Sequence, residues 1–326
     1  MAVYGGLAAF AWCVICLPVV LRAAAHWGFF DPPGPLKLHT RRIPRVGGIA
    51  VVSAFAVGML VSGSGYSLRY LLGTLFVLWL AGIIDDLRGV SPILRLMAQA
   101  IVASVLCFGA DLTVPFLDKK PLGWIVAGLL VMSLINAFNL LDGADGVAAG
   151  VAAVIGVGFL VDGAQSGASG ASAAALIGSC LAFLAFNFPP AKIFLGDSGS
   201  TSLGLIVAFT GLEVHKANPS TKAGIFLLPI FAGLPLLDLA LAILRRLRSG
   251  GSPFSGDRRH FYDLLLQKGW SSCKVALSTY AVTAGFVLVG LDCNRHSLAD
   301  AICLVLLVTI PFLFIAVRLG ALRPAL

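Results

Sequence analysis

Two neighbouring aspartates, Asp85 and Asp86, close the third long apolar stretch of the sequence. Adjacent carboxylates at the end of a helix repel each other and oppose the negative end of the helix dipole, so such a pair favours a bound cation. Hard divalent ions such as Mg²⁺ take carboxylate oxygens and usually keep waters and substrate phosphates in their coordination shell. The pattern therefore predicts a Mg²⁺ site used with a phosphorylated substrate. Two solvated carboxylates at a membrane boundary are the alternative.

A second polar group spans the end of the fifth apolar stretch. Asn136, Asn139 and Asp142 are spaced three residues apart, so a helix would place them on one stripe, and Asp145 follows between two glycines. Amide and carboxylate side chains in so apolar a context are costly unless they pair or bind a ligand. The stripe therefore predicts a binding surface, with an interhelical hydrogen-bond seam as the alternative.

Glycines and hydroxyl residues lead into the eighth apolar stretch, in the segment from Phe194 to Thr201, which follows Asn187 and two prolines. Free backbone N–H groups at a helix N-terminus bind anions, so this segment predicts a phosphate site. Asp197 can hold a metal ion beside that phosphate. A helix N-cap is the competing explanation for Asp197 or Ser198.

Two longer polar segments are basic. The segment 31–48 contains Lys37, His39 and Arg45, and the neighbouring proline and glycines fix the backbone so that Arg45 could be aimed at a phosphate. The segment 245–274 contains His260 among arginines and aromatic residues, where it could contact a phosphate or a sugar. An ordinary loop histidine is the alternative.

The composition shows which kind of protein must position these residues. Of the 326 residues, 59% are hydrophobic and 12% charged, with a mean hydropathy of +0.97. A water-soluble globular protein has about 25% charged residues and is thereby excluded. We predict an all-α polytopic integral membrane protein, one domain over 1–326, with about 11 transmembrane helices. Each helix is seeded by an uncharged stretch of at least fifteen residues: 1–21, 46–68, 70–84, 96–110, 121–141, 146–161, 163–191, 198–212, 223–237, 275–291 and 301–317.

The distribution of basic residues predicts the orientation. With the N-terminus outside and the C-terminus cytoplasmic, seventeen of the twenty-three Lys and Arg residues face the cytoplasm, as the positive-inside rule requires. The polar segments then all lie on the cytoplasmic side, which predicts an active site there; they are 22–48, 85–95, 136–146, 187–201 and 245–274. The net charge of +8 suits a lipid bilayer and phosphorylated substrates. No nucleic-acid-binding module is visible, and the seven cysteines indicate no disulfide framework.

Taken in the order of the chain, from Lys37 to Ser200, the motifs resemble those of the polyprenyl-phosphate N-acetylhexosamine-1-phosphate transferases. These enzymes are relatives of phospho-N-acetylmuramoyl-pentapeptide transferase. The resemblance covers roughly residues 1–275. It implies a multi-pass enzyme of the bacterial inner (cytoplasmic) membrane. Such an enzyme transfers a sugar-1-phosphate from a UDP-sugar to undecaprenyl phosphate and releases UMP. It also implies Mg²⁺, with Mn²⁺ as a substitute, and a homodimer is compatible with it.

The resemblance assigns roles by matching positions. The catalytic carboxylates would be Asp85, Asp86, Asp142 and Asp145, and the metal ligands Asp197 and Asp86. The substrate-binding residues would be Lys37, His39, Arg45, Asn136, Asn139, Asn187, Phe194 and His260. Among them, Phe194 matches the position proposed to stack on uracil, and Arg45 and His260 would serve phosphates.

One loop departs from the family pattern. Members that act on N-acetylglucosamine typically read His-x-His-His where this chain has His260, Phe261, Tyr262 and Asp263. The departure favours another UDP-N-acetylated amino sugar, used to start an O-antigen or a similar glycan. The alternatives are the muramoyl-pentapeptide transferase itself, whose triple-His signature is absent, a lipid-linked sugar transporter or flippase, and an inactive scaffold. A transporter should carry polar groups near the bilayer midplane, where Asp238 is the one candidate.

Overall fold

The computed structural model describes residues 1–31, 42–63, 67–114, 120–166, 170–217, 224–293 and 296–323. These residues form thirteen helices and one pair of two-residue antiparallel strands, β1 (Phe30–Asp31) and β2 (Ile43–Pro44). The helices are α1 (Ala2–Trp27), α2 (Gly47–Val61), α3 (Ser67–Arg88), α4 (Pro92–Gly109), α5 (Leu122–Leu141), α6 (Val147–Ser166), α7 (Ala171–Asn187), α8 (Gly196–Ala217), α9 (Gly224–Phe231), α10 (Gly233–Arg248), α11 (Phe261–Gln267), α12 (Ser272–Cys293) and α13 (Leu298–Leu319).

The predicted all-α membrane fold is confirmed. Seven of the described helices are long and apolar enough to cross a membrane, and α2 and α7 are shorter apolar helices. Large apolar side chains such as Ile15, Ile101 and Leu307 are exposed on α1, α4 and α13, which suits contact with lipid. The count of eleven spans and the positions of the termini remain predictions.

The ninth apolar stretch is not one continuous helix. It breaks at Ala232 into α9 and α10, and α10 begins at Gly233 with Pro235 in its first turn. Proline is tolerated there because the first N–H groups of a helix have no intrahelical acceptor. The break leaves α10 as a short helix that ends in Arg245, Arg246 and Arg248.

The helix α8 is the centre of the bundle. It packs against α2, α3, α5, α6, α7 and α9, and nearly every described residue along it is buried. Two glycines let neighbouring helices approach its first turn. A Cβ atom at Gly48 of α2 would overlap the backbone of Gly199, and one at Gly82 of α3 would overlap the backbone of Ser198. The ends of α2 and α3 are thereby brought against the start of α8.

Replacing Gly82 by alanine is expected to destabilise the protein, because the added methyl group meets backbone rather than a movable side chain. Overpacking of this kind costs about 1–3 kcal/mol, which should lower the thermal midpoint in detergent by several degrees. Gly73→Ala is the matched control, since it lies on the same helix with nothing within 4 Å of the added Cβ. Equal midpoints for the two variants would contradict the close approach.

Candidate functional site

The site begins where two chain segments pair beside the start of α8. The N–H of Phe194 donates to the carbonyl of Pro44 (2.8 Å), the N–H of Gly47 to Phe194 (2.8 Å) and the N–H of Gly48 to Leu195 (2.9 Å). This pairing places the backbone of residues 44–48 beside residues 193–195. As a result, Arg45 lies next to the first turn of α8.

Asp86 caps α8 from another helix. Its Oδ1 accepts a hydrogen bond from the N–H of Asp197 (2.9 Å), and its Oδ2 accepts one from the N–H of Ser198 (3.1 Å). A carboxylate is favourable at a helix N-terminus, where unpaired N–H groups and the positive end of the dipole point at it. In α3, Asp86 lies near the C-terminal end, where the negative end of the helix dipole disfavours a carboxylate. The structure shows that the positive end of the α8 dipole compensates for this cost.

Arg45 and Asn139 complete the ionic cluster at this end of α8. Arg45 Nη2 lies 2.7 Å from Asp197 Oδ1, and its Nε lies 3.3 Å from Asp86 Oδ1. Asn139 Nδ2 donates to Asp197 Oδ1 (3.2 Å) and to Ser200 Oγ (3.1 Å). The Asp197 side chain is 22% exposed and that of Arg45 39% exposed, so the cluster is accessible from outside the bundle.

The two adjacent aspartates diverge. Asp85 accepts from the backbone N–H of Val90 (2.7 Å) and from Arg95 Nη1 (2.9 Å), with its side chain 8% exposed. These bonds close the turn between α3 and α4. Asp86 therefore faces the ionic cluster, whereas Asp85 holds the neighbouring turn.

The turn between α5 and α6 carries Asp142 and Asp145. Asp142 is the C-cap residue of α5, with its N–H bonded to the carbonyl of Phe138 (3.2 Å). Burial raises the pKa of Asp142 well above its ordinary value, and the negative charges of Asp197, Asp86 and Asp145 raise it further, while Arg45 opposes the shift. Asp142 thus belongs electrostatically to the same cluster.

Asp145 and Asn187 join this turn to the segment before α8. Asp145 Oδ2 accepts from the N–H of Ala191 (2.9 Å). The buried Asn187 accepts from the N–H of Gly146 (3.0 Å) through Oδ1 and donates to the carbonyl of Ile193 (2.8 Å) through Nδ2. Both side chains are thereby engaged in holding two loops together, a scaffolding contact that sequence reasoning did not assign to them.

Asn136 lies further along α5 and faces α4. Its Nδ2 donates to Gln99 Oε1 (2.6 Å) and to the carbonyl of Met132 (2.8 Å). Asn136 thus makes a hydrogen bond between two helices, which was the alternative interpretation of the polar stripe on α5. Lys37 and His39 lie outside the described residues.

His260 is buried rather than exposed on a loop. Its Nδ1 lies 2.6 Å from Asp238 Oδ2, and its Nε2 lies 3.6 Å from Asp257 Oδ1. Burial alone would lower the pKa of His260, but the charges of Asp238, Asp263 and Asp257 outweigh it and raise the pKa. His260 is accordingly part of an internal ionic network.

Three further members of that network, Arg245, Arg246 and Asp257, are residues that sequence reasoning did not select. Arg245 makes a bidentate pair with Asp257 (Nε to Oδ2, 2.8 Å; Nη2 to Oδ1, 2.7 Å) and donates from Nη1 to the carbonyl of Ala321 (2.6 Å). Arg246 also reaches Asp257, at 3.3 Å. Burial alone would raise the pKa of Asp257, but the two guanidinium groups hold it below its ordinary value. The signal in the sequence was one acid, Asp257, and two arginines that lie close to apolar stretches.

Two cavities border the ionic cluster. One of about 500 Å³ lies beside Arg45 and Asp86 and is lined mainly by apolar residues of α1, α2 and α3. A smaller one of about 180 Å³ lies between α3 and α4 and reaches Asp85 and Asp197. Among the described residues, no three His, Cys, Asp or Glu side chains surround one point as a preformed metal site.

Comparison with known proteins finds a matching family profile and several relatives. The profile of glycosyl transferase family 4 matches residues 68–215. A probable undecaprenyl-phosphate N-acetylglucosaminyl 1-phosphate transferase of Bacillus subtilis (strain 168) is 33% identical over 288 residues, covering 84% of this chain and 79% of the relative.

Two further relatives come from other bacteria. The undecaprenyl-phosphate alpha-N-acetylglucosaminyl 1-phosphate transferase of Yersinia pestis is 28% identical over 309 residues, covering 88% of this chain and 82% of the relative. The decaprenyl-phosphate N-acetylglucosaminephosphotransferase of Mycobacterium tuberculosis (strain ATCC 25618 / H37Rv) is 33% identical over 309 residues, covering 82% and 76%. Identity at this level over most of both chains shows that this protein belongs to the polyprenyl-phosphate N-acetylhexosamine-1-phosphate transferases of glycosyl transferase family 4.

Proposed function

We propose that this protein transfers an N-acetylated amino-sugar-1-phosphate from a UDP-sugar to a polyprenyl phosphate such as undecaprenyl phosphate, and releases UMP. The observation that carries the proposal is the cluster of Asp86, Asp197, Arg45 and Asn139 at the first turn of α8. The ends of three apolar helices, α3, α5 and α8, meet there. A water-soluble nucleotide sugar and a membrane lipid can both reach such a boundary.

Mg²⁺, or Mn²⁺ in its place, is the proposed cofactor, and Asp197 and Asp86 are the residues that would hold it. Mg²⁺ is usually bound by one or two carboxylates, with waters and substrate phosphates filling the other positions, so two aspartates suit it without a third protein ligand. Their placement at a helix N-terminus also suits the phosphates. When bound, the ion would supply charge neutralisation on the donor diphosphate.

The residues of the chain have separate parts in the proposed transfer. An oxygen of the lipid phosphate attacks the β-phosphorus of the UDP-sugar, and the bond from that phosphorus to the bridging oxygen breaks. UMP leaves with the bridging oxygen and its electron pair. Arg45, whose guanidinium already reaches two carboxylates, is placed to contact a phosphate, and Asn139 fixes the orientation of Asp197. A lipid phosphate is anionic near neutral pH, so the step needs no strong base.

The finer assignments rest on the distribution of basic residues and on the names of the relatives. We place the active site on the cytoplasmic face of the bacterial inner membrane, because seventeen of twenty-three basic residues lie on that side in the favoured orientation. The donor is a UDP-N-acetylhexosamine, and the names of the relatives make UDP-N-acetylglucosamine the first to test. We also propose that the lipid-linked product starts an O-antigen or a similar glycan.

A transporter or flippase is less well supported. Asp238, the acid that would mark a transport path, accepts from His260 Nδ1 through Oδ2 and from the N–H of Phe261 through Oδ1 (2.8 Å). Both oxygens of Asp238 are thus engaged by His260 and by the start of α11. The other candidate acids lie at the ends of helices or in the turns that join them.

The test is UMP release by the purified protein with undecaprenyl phosphate, Mg²⁺ and a panel of UDP-N-acetylhexosamines. We expect UMP release that depends on the lipid, on the metal ion and on one or a few of the sugars. Omission of the lipid, and addition of a chelator, are the controls within each reaction. Folded protein that releases no UMP with any donor would exclude the transferase and favour transport or a scaffold.

A further inference from the structure

The short helix α11 reaches the turn that carries Asp142. Tyr262 Oη donates to the carbonyl of Leu140 (3.0 Å), and a Cβ atom at Gly143 would overlap that hydroxyl. The tyrosine therefore contacts the chain on both sides of Asp142 in sequence. Glycine at 143 is what allows this contact.

The hydrogen bond meets a specific need of helix α5. Leu140 lies in its last turn, where carbonyls have no intrahelical donor and require another partner. Tyr262 is 4% exposed, so an unpaired hydroxyl there would also be unfavourable. Burial, and then the charges of Asp263, Asp238 and Asp142, raise the pKa of Tyr262 well above its ordinary value, so the hydroxyl stays protonated and can donate.

A buried ion pair directs the tyrosine. The ring of Tyr262 stacks on His260, with 5.7 Å between centroids and 11° between planes. His260 is held by Asp238 Oδ2 at 2.6 Å, and Asp238 Oδ1 accepts from the first N–H of α11 (2.8 Å). Since Asp238 and His260 are both almost fully buried, the orientation of α11 is fixed from inside the protein.

We propose that Tyr262 is a positioning residue for phosphoryl transfer: it holds the Asp142 turn beside Arg45 and Asp197, and the pair of Asp238 and His260 directs it. The inference rests on the proposed transferase function, because its effect appears in the rate of that reaction. It gives a role to the loop in which this chain departs from the family pattern. In this role the side chain acts through Leu140 and Gly143 rather than by touching substrate.

The opposite end of the same turn offers a matched control. Tyr280 Oη donates to the carbonyl of Gly146 (2.7 Å), but Gly146 is also held through its N–H by Asn187 (3.0 Å). Tyr262→Phe and Tyr280→Phe each remove one hydroxyl and keep the ring. Tyr262→Phe removes the hydrogen bond at the Leu140 end of the turn, and Tyr280→Phe removes the one at the Gly146 end.

Steady-state kinetics of UMP release, with thermal midpoints in detergent, test the proposal. For Tyr262→Phe we expect kcat to fall about 5- to 10-fold, the range one lost hydrogen bond supports, with the KM for the UDP-sugar changed less than about twofold. Tyr280→Phe should keep kcat within about twofold, and both midpoints should stay within a few degrees of the parent protein.

Three results would overturn the role of Tyr262. They are an unchanged kcat in Tyr262→Phe, an equal loss in Tyr280→Phe, and a loss in Tyr262→Phe that lies wholly in KM or in the folded fraction. In each of these the parent protein still releases UMP, so the transferase proposal stands. A parent protein that is folded and releases no UMP would overturn both proposals.

Discussion

Replacing Asp197 by asparagine is expected to lower UMP release by about 100- to 1,000-fold, the effect of losing one strong electrostatic contribution to a transition state. Asp197 lies in the first turn of α8, receives hydrogen bonds from Arg45 and Asn139, and is the proposed metal ligand. Asparagine keeps the shape of the side chain and removes its charge. The rate should therefore fall at saturating donor, and raising Mg²⁺ should recover part of it at most.

Folding should be nearly unaffected by the same change. The ion pair between Asp197 and Arg45 is partly exposed, and pairs of that kind contribute about 0–1 kcal/mol to stability. Asp111→Asn is the matched control, because Asp111 is half exposed and pairs with Lys120 at 2.7 Å, away from the cluster. Full activity of Asp197→Asn in folded protein would show that the charge at α8 is not used in the reaction.

Replacing Asp257 by alanine is expected to be the most destabilising single change considered. The side chains of Asp257 and Arg245 are each 2% exposed, and Arg246 also depends on this carboxylate. Removal of one partner leaves a buried guanidinium without its counter-charge, which typically costs 3–5 kcal/mol. The thermal midpoint in detergent should fall by roughly 10 °C.

Asp111→Asn again supplies the comparison, because asparagine tolerates the positive φ of 51° at this position and alanine does not. It removes the charge from an ion pair of the same 2.7 Å length between half-exposed side chains, which should change the midpoint by no more than about 3 °C. The two variants contrast a buried ionic network with an exposed ion pair. If Asp257→Ala were as stable as Asp111→Asn, Arg245 would have to reach another acceptor or solvent, contrary to the enclosed network.

The sequence was sufficient to predict the helical membrane fold and the members of the ionic cluster. Long uncharged stretches must be helices in a bilayer, because helices satisfy every backbone polar group internally. Polar residues at the ends of such stretches are conspicuous for the same reason. Arg45, Asp86, Asn139, Asp142 and Asp197 were each predicted in this way, and the structure brings them together.

The pairing of residues distant in sequence could not be predicted from spacing. Asp85 and Asp86 are adjacent and chemically identical, yet the rotation of α3 sends one to Arg95 and the other to α8. In the same way, Asn136 and Asn139 share a stripe, but one meets α4 and the other meets α8. Which partner a polar residue finds depends on helix packing across the bundle.

The buried network shows a second limit of sequence reasoning. His260 was predicted from its loop as a ligand-binding residue, but the structure places it between Asp238 and Asp257, inside the protein. Burial of charged residues is rare, so a sequence pattern favours exposure unless the partners are known. Asp238 lies 22 residues before His260 and Asp257 lies 3 residues before it. Only the folded structure shows that both carboxylates contact the imidazole ring.

The bond from Arg245 Nη1 to the carbonyl of Ala321 joins α10 to the segment after α13. The same region is packed through Phe312 of α13, whose ring lies 5.2 Å from that of Phe261 and 5.9 Å from that of Phe286. Separation of α13 would expose both an aromatic cluster and a buried guanidinium. We therefore expect the C-terminal helix and α11, which carries Tyr262, to unfold as one cooperative unit, although they are distant in sequence.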